Sequence, residues 1–528
     1  MSKHAQHLPG DLDGVFAPPP DEFTGTSGND NFHGTNGNDD FDMSQGGNDK
    51  VAGRGGNDEF DFGNAFTAHD KINGGAGIDT VTLLGDYSAG VVFNAKTMVN
   101  IEFLSLLGST FTGGGSYNLT IADTTAGKFL DVVLMSTSLH ADALTFDASA
   151  ETSADIFVQN EGSGTDHIIT GGGNDHVSSG RVNSNETFDG GGGYDFISFG
   201  SAGFGINFSL LLQGQAQDIG NGHQVLVSNF EAFSGTPNDD VLTGDDNDNY
   251  IVPDGGNDNI HANGGNDFVV IDDFVPYTAI TVDGGSGVNT LSFVGAEFSG
   301  VTFSLALQGS AQATGQGDGT ITATGFANLE GSDFYDDHLT GDGSANQILG
   351  GAGNDTLTGS GGNDTLYGDG TYFHDYTDIG QIGYTSGFTI IEDGNGTDTL
   401  DGGSGKDKLI GGPGADTLTG GTGADKFIYE TVQDSGVGAG NRDIITDFSH
   451  ADGDKIDLHL IDADTTQNGD QAFHLGGSSF THSAGELIQF SDGNGNTILA
   501  GDVNGDGVAD FEIQLAHAPA LVAGDFVL

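Results

Sequence analysis

The chain has 528 residues, 93 of them glycine and none of them cysteine or tryptophan, and its 12 basic residues against 77 acids leave a formal net charge of −65. That charge argues against nucleic acid and anionic membrane as partners, and the missing cysteines exclude a disulfide framework. No run of about eighteen apolar residues is present, so no transmembrane helix is expected; 36 phenylalanines and 35% hydrophobic residues argue against disorder.

Burying those apolar residues requires something to neutralise the acids. Most of the acids are Asp rather than Glu, and Asp is a short, hard oxygen ligand suited to tight turns. Without thiols or clustered imidazoles, such a composition selects calcium over zinc or copper. The alternative is a salt-adapted acidic surface.

Residues 1–22 hold no apolar run long enough for a secretory signal and read as a disordered tail. From residue 23 to 82 a nine-residue period takes over: GTSGNDNFH, GTNGNDDFD, SQGGNDKVA, GRGGNDEFD and GGAGIDTVT. Asp stands sixth and an apolar residue eighth, which makes Asp30, Asp39, Asp49, Asp58, Asp70 and Asp79 candidate ligands. Glycine-rich positions permit sharp turns with carbonyls facing inward, and the last three positions form a short strand with one inward side chain. Two nonapeptides make one coil, so that Asp carboxylates and turn carbonyls of neighbouring coils surround a Ca²⁺ in each gap. The expected fold is all-β, a parallel β-roll or β-helix solenoid interrupted by wider β-coil spacers, stabilised jointly by metal and stacking.

Residues 83–160, with IEFLSLLG, FLDVVLMS and LTFDAS, alternate as strands do. They read as a calcium-free stretch of β-helix in preference to a ligand-binding insertion. Repeats return at 161–198, with candidates Asp166, Asp175 and Asp195. A β spacer follows at 199–234, and a third block at 235–292 offers Asp240, Asp258 and Asp267. The spacer at 293–330 is visibly related to that at 199–234, since INFSLLLQGQAQ parallels VTFSLALQGSAQ. The block at 331–428 carries the clearest copies, with candidate positions Gly351, Gly353, Asp355, Gly362, Asp364, Asp398, Gly403, Gly405, Asp407, Gly412, Gly414, Asp416 and Asp425. Glu186, Asn249, Asn289 and Asn346 stand where Asp is expected, so their coils should bind weakly or not at all. The aromatic-rich insertion at 371–393 reads as a structural loop, with a binding loop as its alternative.

The nonapeptide resembles the RTX (hemolysin-type) calcium-binding repeat, and the resemblance covers about twenty copies in four or five blocks. It implies many bound Ca²⁺ ions. The region 424–528 is similar to the C-terminal domain of serralysin-type peptidases (peptidase M10 family), through Asp425, Phe427, Asp443, Ile445, Asp447, Phe448 and the run from Asp454 to Leu458. That resemblance implies an uncleaved signal for type I export from a Gram-negative cell, a secreted or surface-associated location, and the type I apparatus as a partner. GDVNGDGVADFEI adds an EF-hand-like spacing at Asp502, Asn504, Asp506 and Asp510, with Ile513 where the bidentate Glu belongs and Glu512 one place early.

The serralysin catalytic motif HExxH is absent, as are GxSxG and any thiol nucleophile. His33, His167, His176 and His261 occupy variable repeat positions, and the pairs His69–Asp70, His374–Asp375 and His450–Asp452 are no evidence of a triad. The expected function is therefore a non-catalytic surface, matrix or adhesion protein, with cell-surface polysaccharide or further copies of itself as candidate partners. A secreted hydrolase or a lyase- or epimerase-like enzyme acting on polysaccharide is the alternative, and a simple calcium sink is the blandest reading.

Overall fold

A computed structural model describes residues 20–528 apart from 95, 109–114, 123–128, 137–140, 180–181, 183–184, 272–278, 297–298, 316–318, 373–389 and 393. The tail expected at 1–22 and the insertion at 371–393, with the His374–Asp375 pair, fall almost wholly outside these residues. The chain divides into two compact units, one ending at Asp195 and the other beginning at Phe196. Among the described residues the fold is all-β, and every helical segment is a single 3-10 turn.

In the first unit, strands Asp21–Thr24, Asp39–Asp42, Glu59–Gly63, Thr80–Leu84, Phe103–Leu107, Phe129–Met135, Asp155–Asn160 and His176–Ser178 pair successively in parallel. A second wall begins with Asn31–His33, Lys50–Gly55, Lys71–Ala76 and Met98–Val99. Parallel pairing of consecutive coils, each laid one strand further along, is the β-roll expected from the nine-residue period. The inward residue of each strand stacks on its neighbour: Phe23, Phe41 and Phe60 lie face to face at 4.7 and 4.9 Å between centroids.

The second unit repeats the plan. One wall runs from Phe196–Ser198 through Asn328–Glu330, Gln347–Leu349, Thr365–Tyr367, Lys408–Ile410 and Lys426–Ile428 to Lys455–Asp457 and Phe526–Val527. Leu329, Ile348, Leu366, Leu409, Phe427 and Ile456 form its fully buried spine. The facing wall ends differently. After Asp443–Ile445 it pairs with Phe511–Leu515, which joins Thr497–Asp502 and Glu486–Ser491 in antiparallel hairpins that close the stack.

Coils approach so closely at the turns that a side chain has no room. Gly405 has φ +156°, and a Cβ there would sit 1.4 Å from the Gly362 carbonyl oxygen of the coil below. The two related spacers keep the coil but build its turns from side chains. Each carries a 3-10 turn, Leu210–Leu212 or Leu305–Leu307. Behind it Gln213 donates to the Phe230 carbonyl and accepts from the Phe230 amide, at 2.9 and 3.0 Å. Gln308 makes the same pair with Phe326, and Gln217 and Gln312 clamp Ser209 and Ser304 likewise.

Candidate metal centres

Each repeat ends its turn on the motif Asp, and the strand that follows fixes where that carboxylate points. The result is a set of rows along the solenoid in which the backbone amide of one Asp donates to Oδ1 of the Asp one coil on. In the first unit Asp30, Asp49 and Asp70 form one row, at 2.8 and 2.7 Å. Asp39, Asp58 and Asp79 form the other, at 2.9 and 2.8 Å, and Glu102 extends it through the Asp79 amide. Further along, Asp166 accepts from Leu144, while Asp175 accepts from Ile156 and donates to Asp195.

In the second unit the longest rows are Asp337–Asp355–Asp398–Asp416–Asp443 and Asn346–Asp364–Asp407–Asp425–Asp454, each step between 2.7 and 3.1 Å. Asp240 donates to Asp258, and Asn249 to Asp267. All the sequence-predicted repeat aspartates are buried except Asp30, in the first coil, which is half-buried.

Oδ1 of each carboxylate beyond the first in a row is thus used by the preceding coil. At Asp30, Asp39, Asp70, Asp175, Asp240, Asp337 and Asp454 the other oxygen accepts an amide of its own turn. Oδ2 of Asp58, Asp79, Asp267, Asp355, Asp364, Asp398, Asp407, Asp416 and Asp425 is buried without a hydrogen-bond partner. Those of Asp58, Asp79, Asp355, Asp364 and Asp407 lie beside the first glycine of their own repeat and a carbonyl of the next coil. At Gly350 the place of a Cβ lies 2.4 Å from both Asp355 Oδ2 and the Gly368 oxygen.

Burial pushes the affected carboxyls up, with neighbouring aspartates adding to it: Asp355 and Asp416 to about 9, Asp398 to about 8, Asp364 to about 7 and Asp425 to about 6. Magnitudes show why. Like charges one strand spacing apart (~4.8 Å) repel by about 3.5 kcal/mol at an effective dielectric of about 20. Burying one inward Leu or Phe contributes about 1.5–3 kcal/mol. A stack of ionised rows therefore opposes its own core unless cations or protons lie between the coils.

The donor chemistry fits Ca²⁺. Hard carboxylate and carbonyl oxygens are its ligands, and donor-less buried oxygens are what a bound cation would satisfy. Among the described residues no three acidic or imidazole side chains converge on one point. What these turns offer a cation is one carboxylate per coil plus backbone carbonyls. Gly351, Gly353, Gly362, Gly403, Gly405 and Gly412 take positive φ in these turns; Gly414 shares the carbonyl approach without it, a Cβ there meeting the Gly396 oxygen at 2.2 Å.

The degenerate copies close their turns differently. Asn289 Nδ2 donates to the Gly284 and Gly325 carbonyls at 2.7 and 2.8 Å. Asn346 donates to Ala327, and Asn249 to Glu231. An amide N–H meets the carbonyls that a carboxylate could approach only through a cation.

Sequence reasoning missed Asp337, Asp443 and Asp454 as members of the rows. Asp337 was legible, since His338-Leu339-Thr340 after it has the pattern of a repeat strand. Asp443 and Asp454 follow glycine-containing turns that lack the nonapeptide spacing, and they join the rows only through tertiary register. The EF-hand-like loop is a separate case. Asp502 accepts from the amides of Asn504, Gly505 and Gly507, Asp506 from Val508, and Asp510 from Val503. Glu512 turns away to Arg442 at 2.6 Å and to the Gly438 amide.

Residues 311–528 match the family described as peptidase M10 serralysin C terminal. Four copies of the RTX calcium-binding nonapeptide repeat match at 20–46, 43–66, 162–184 and 234–269. This chain is an RTX repeat protein with a serralysin-type C-terminal domain. The RTX protein binds multiple Ca²⁺ ions and is secreted, and no match to a protease domain accompanies these two. Among solved structures it is similar to a subunit of the Azotobacter vinelandii mannuronan C5-epimerase, at 28% identity over 36% of this chain and 77% of that one. The TM-score of that match is 0.18. None of the curated proteins matches the chain. No helix among the described residues is long and apolar enough to cross a membrane.

Proposed function

We propose that this RTX protein is a non-catalytic component of the extracellular matrix or cell surface, exported unfolded through the type I apparatus and folded outside by calcium. The ions sit between successive coils, held by the row aspartates named above (Asp355, Asp364, Asp398, Asp407, Asp416 and Asp425 foremost) and by carbonyls of the adjoining turns. The observation that carries this reading is the donor-less buried Oδ2 repeated coil after coil. Cytosolic Ca²⁺ is scarce, so the ionised rows keep the chain open inside the cell; external Ca²⁺ removes the repulsion. Far-UV circular dichroism during Ca²⁺ titration of EDTA-stripped protein, with Mg²⁺ as control, tests it. A cooperative rise in β-structure specific to Ca²⁺ is expected. A spectrum already β-rich without Ca²⁺ would sink the calcium-driven part, and turnover of peptide or polysaccharide by purified protein would sink the non-catalytic part.

A further inference from the structure

The chain spends its few basic residues in one pattern. Five of its nine lysines directly follow an aspartate of the rows: Lys50, Lys71, Lys408, Lys426 and Lys455. That position is the first, outward-facing residue of the strand, so register stacks the lysines on one another. Lys50 lies directly opposite Lys71, and Lys408, Lys426 and Lys455 form a second ladder. Like charges facing each other across strands oppose pairing, so each ladder needs a counter-charge.

The second ladder has internal partners. Lys426 Nζ pairs with Asp457 at 3.1 Å, and Lys455 donates to the Gly524 carbonyl. The first does not: among the described residues no carboxylate pairs with Lys50, Lys71 or Lys96, and all three are exposed. They share a shallow cavity of about 230 Å³ with His33 and Asn73. The opposite wall of the same coils carries the acidic ladder Glu22–Asp40–Glu59. The cavity is therefore a local cationic face on a strongly acidic protein.

We propose that this face binds an acidic polysaccharide lying across the strands, which rests on the surface-protein reading above and names its partner. Three features favour that ligand. The cations recur at the strand spacing of ~4.8 Å, close to the length of one sugar, and a polyuronate carries one carboxylate per sugar. Amide and imidazole groups at Asn73 and His33 beside the cations suit the hydroxyls at a sugar's edge. Screening confines the repulsion from the rest of the protein to about 8–10 Å at physiological salt, so the local cations decide the encounter.

The test uses the full-length protein in millimolar Ca²⁺ and follows polygalacturonate binding by calorimetry. Binding should weaken as salt rises, and a neutral glucan of equal length should bind far less. Lys50→Glu with Lys71→Glu should weaken binding at least about tenfold, two exposed charge contacts being lost and reversed. Lys406→Glu with Lys408→Glu, an equal change of net charge, should leave it nearly unchanged. Undiminished binding by the first variant would mean that Ca²⁺ bridges the polymer, and equal loss in both would mean bulk electrostatics; either overturns the proposal. So would inorganic phosphate or monomeric galacturonate binding as tightly as the polymer, or light scattering showing that the lysines dock a second copy of the chain instead. Circular dichroism on the same samples separates the two readings. A missing Ca²⁺ transition breaks the calcium reading, whereas an intact transition without polymer binding breaks this one alone.

Discussion

The repeat coils at 350–425 and the spacer coils at 199–234 and 293–330 solve one problem in two ways. Both must close a tight turn at each edge of a parallel roll without stranding buried backbone groups. The spacers do it with neutral side chains: Gln213 and Gln308 each make a donor–acceptor pair with a backbone amide and carbonyl, as a neighbouring strand would. The repeats do it with glycine and aspartate, and leave one carboxylate oxygen per coil with no donor. The difference teaches that calcium dependence is a property of individual turns rather than of the fold. The asparagine copies lie between the extremes, because an amide N–H replaces the cation.

Four measurements would break or sharpen that contrast. The largest effect is expected on removing Ca²⁺: amide exchange in 350–425 should rise by orders of magnitude, while the amides of Phe230 and Phe326 exchange more slowly than those of the repeats. Uniform loss of protection would mean that the coils melt as one and that the contrast has no thermodynamic content. Next, Asp398→Asn removes a carboxylate from the middle of a row. An ion held at a hundredfold excess over its Kd contributes about 2.7 kcal/mol, so in Ca²⁺ the melting temperature should fall by several degrees, while the metal-free protein is unchanged or more stable.

Acid should act as a weak substitute for calcium. Carboxyls raised in the folded state keep protons that the unfolded chain has already released, so the metal-free fold loses stability as pH climbs from about 4. The loss continues through the raised values, about 6 for Asp425 to about 9 for Asp355 and Asp416. Metal-free protein should therefore hold more β-structure near pH 5 than near pH 8. With metal present, the half-saturating Ca²⁺ should rise as pH falls, since protons compete for the same oxygens; a titration at the two pH values reads both. The smallest effect is Gln213→Ala, which leaves the Phe230 amide and carbonyl without partners and should cost about 1–3 kcal/mol. Denaturant unfolding should show that cost to be independent of Ca²⁺ concentration.

The period of nine, the sixth-place Asp and the eighth-place apolar residue carry most of this architecture on their face. A glycine turn and a three-residue strand have few alternative conformations once they repeat in register, so Asp355, Asp364, Asp407 and Asp416 could be named from spacing alone. The kinship of the two spacers was also visible, through their shared FSL and LQG runs, but the role of Gln213 was not. Its partner Phe230 is seventeen residues away and meets it only when the coil has closed.

Chain order alone thus determined the repeat, its ligand chemistry and the calcium it takes, because these depend on contacts within one nonapeptide and between identical neighbours. Tertiary structure decided what depends on unlike segments meeting. It set Asp443 and Asp454 at the ends of rows begun by glycine-rich repeats, turned Glu512 toward Arg442, and left Lys50 and Lys71 facing each other while Lys426 found Asp457. Register between coils of different length is not encoded in either coil; it emerges when both pack on the same buried spine.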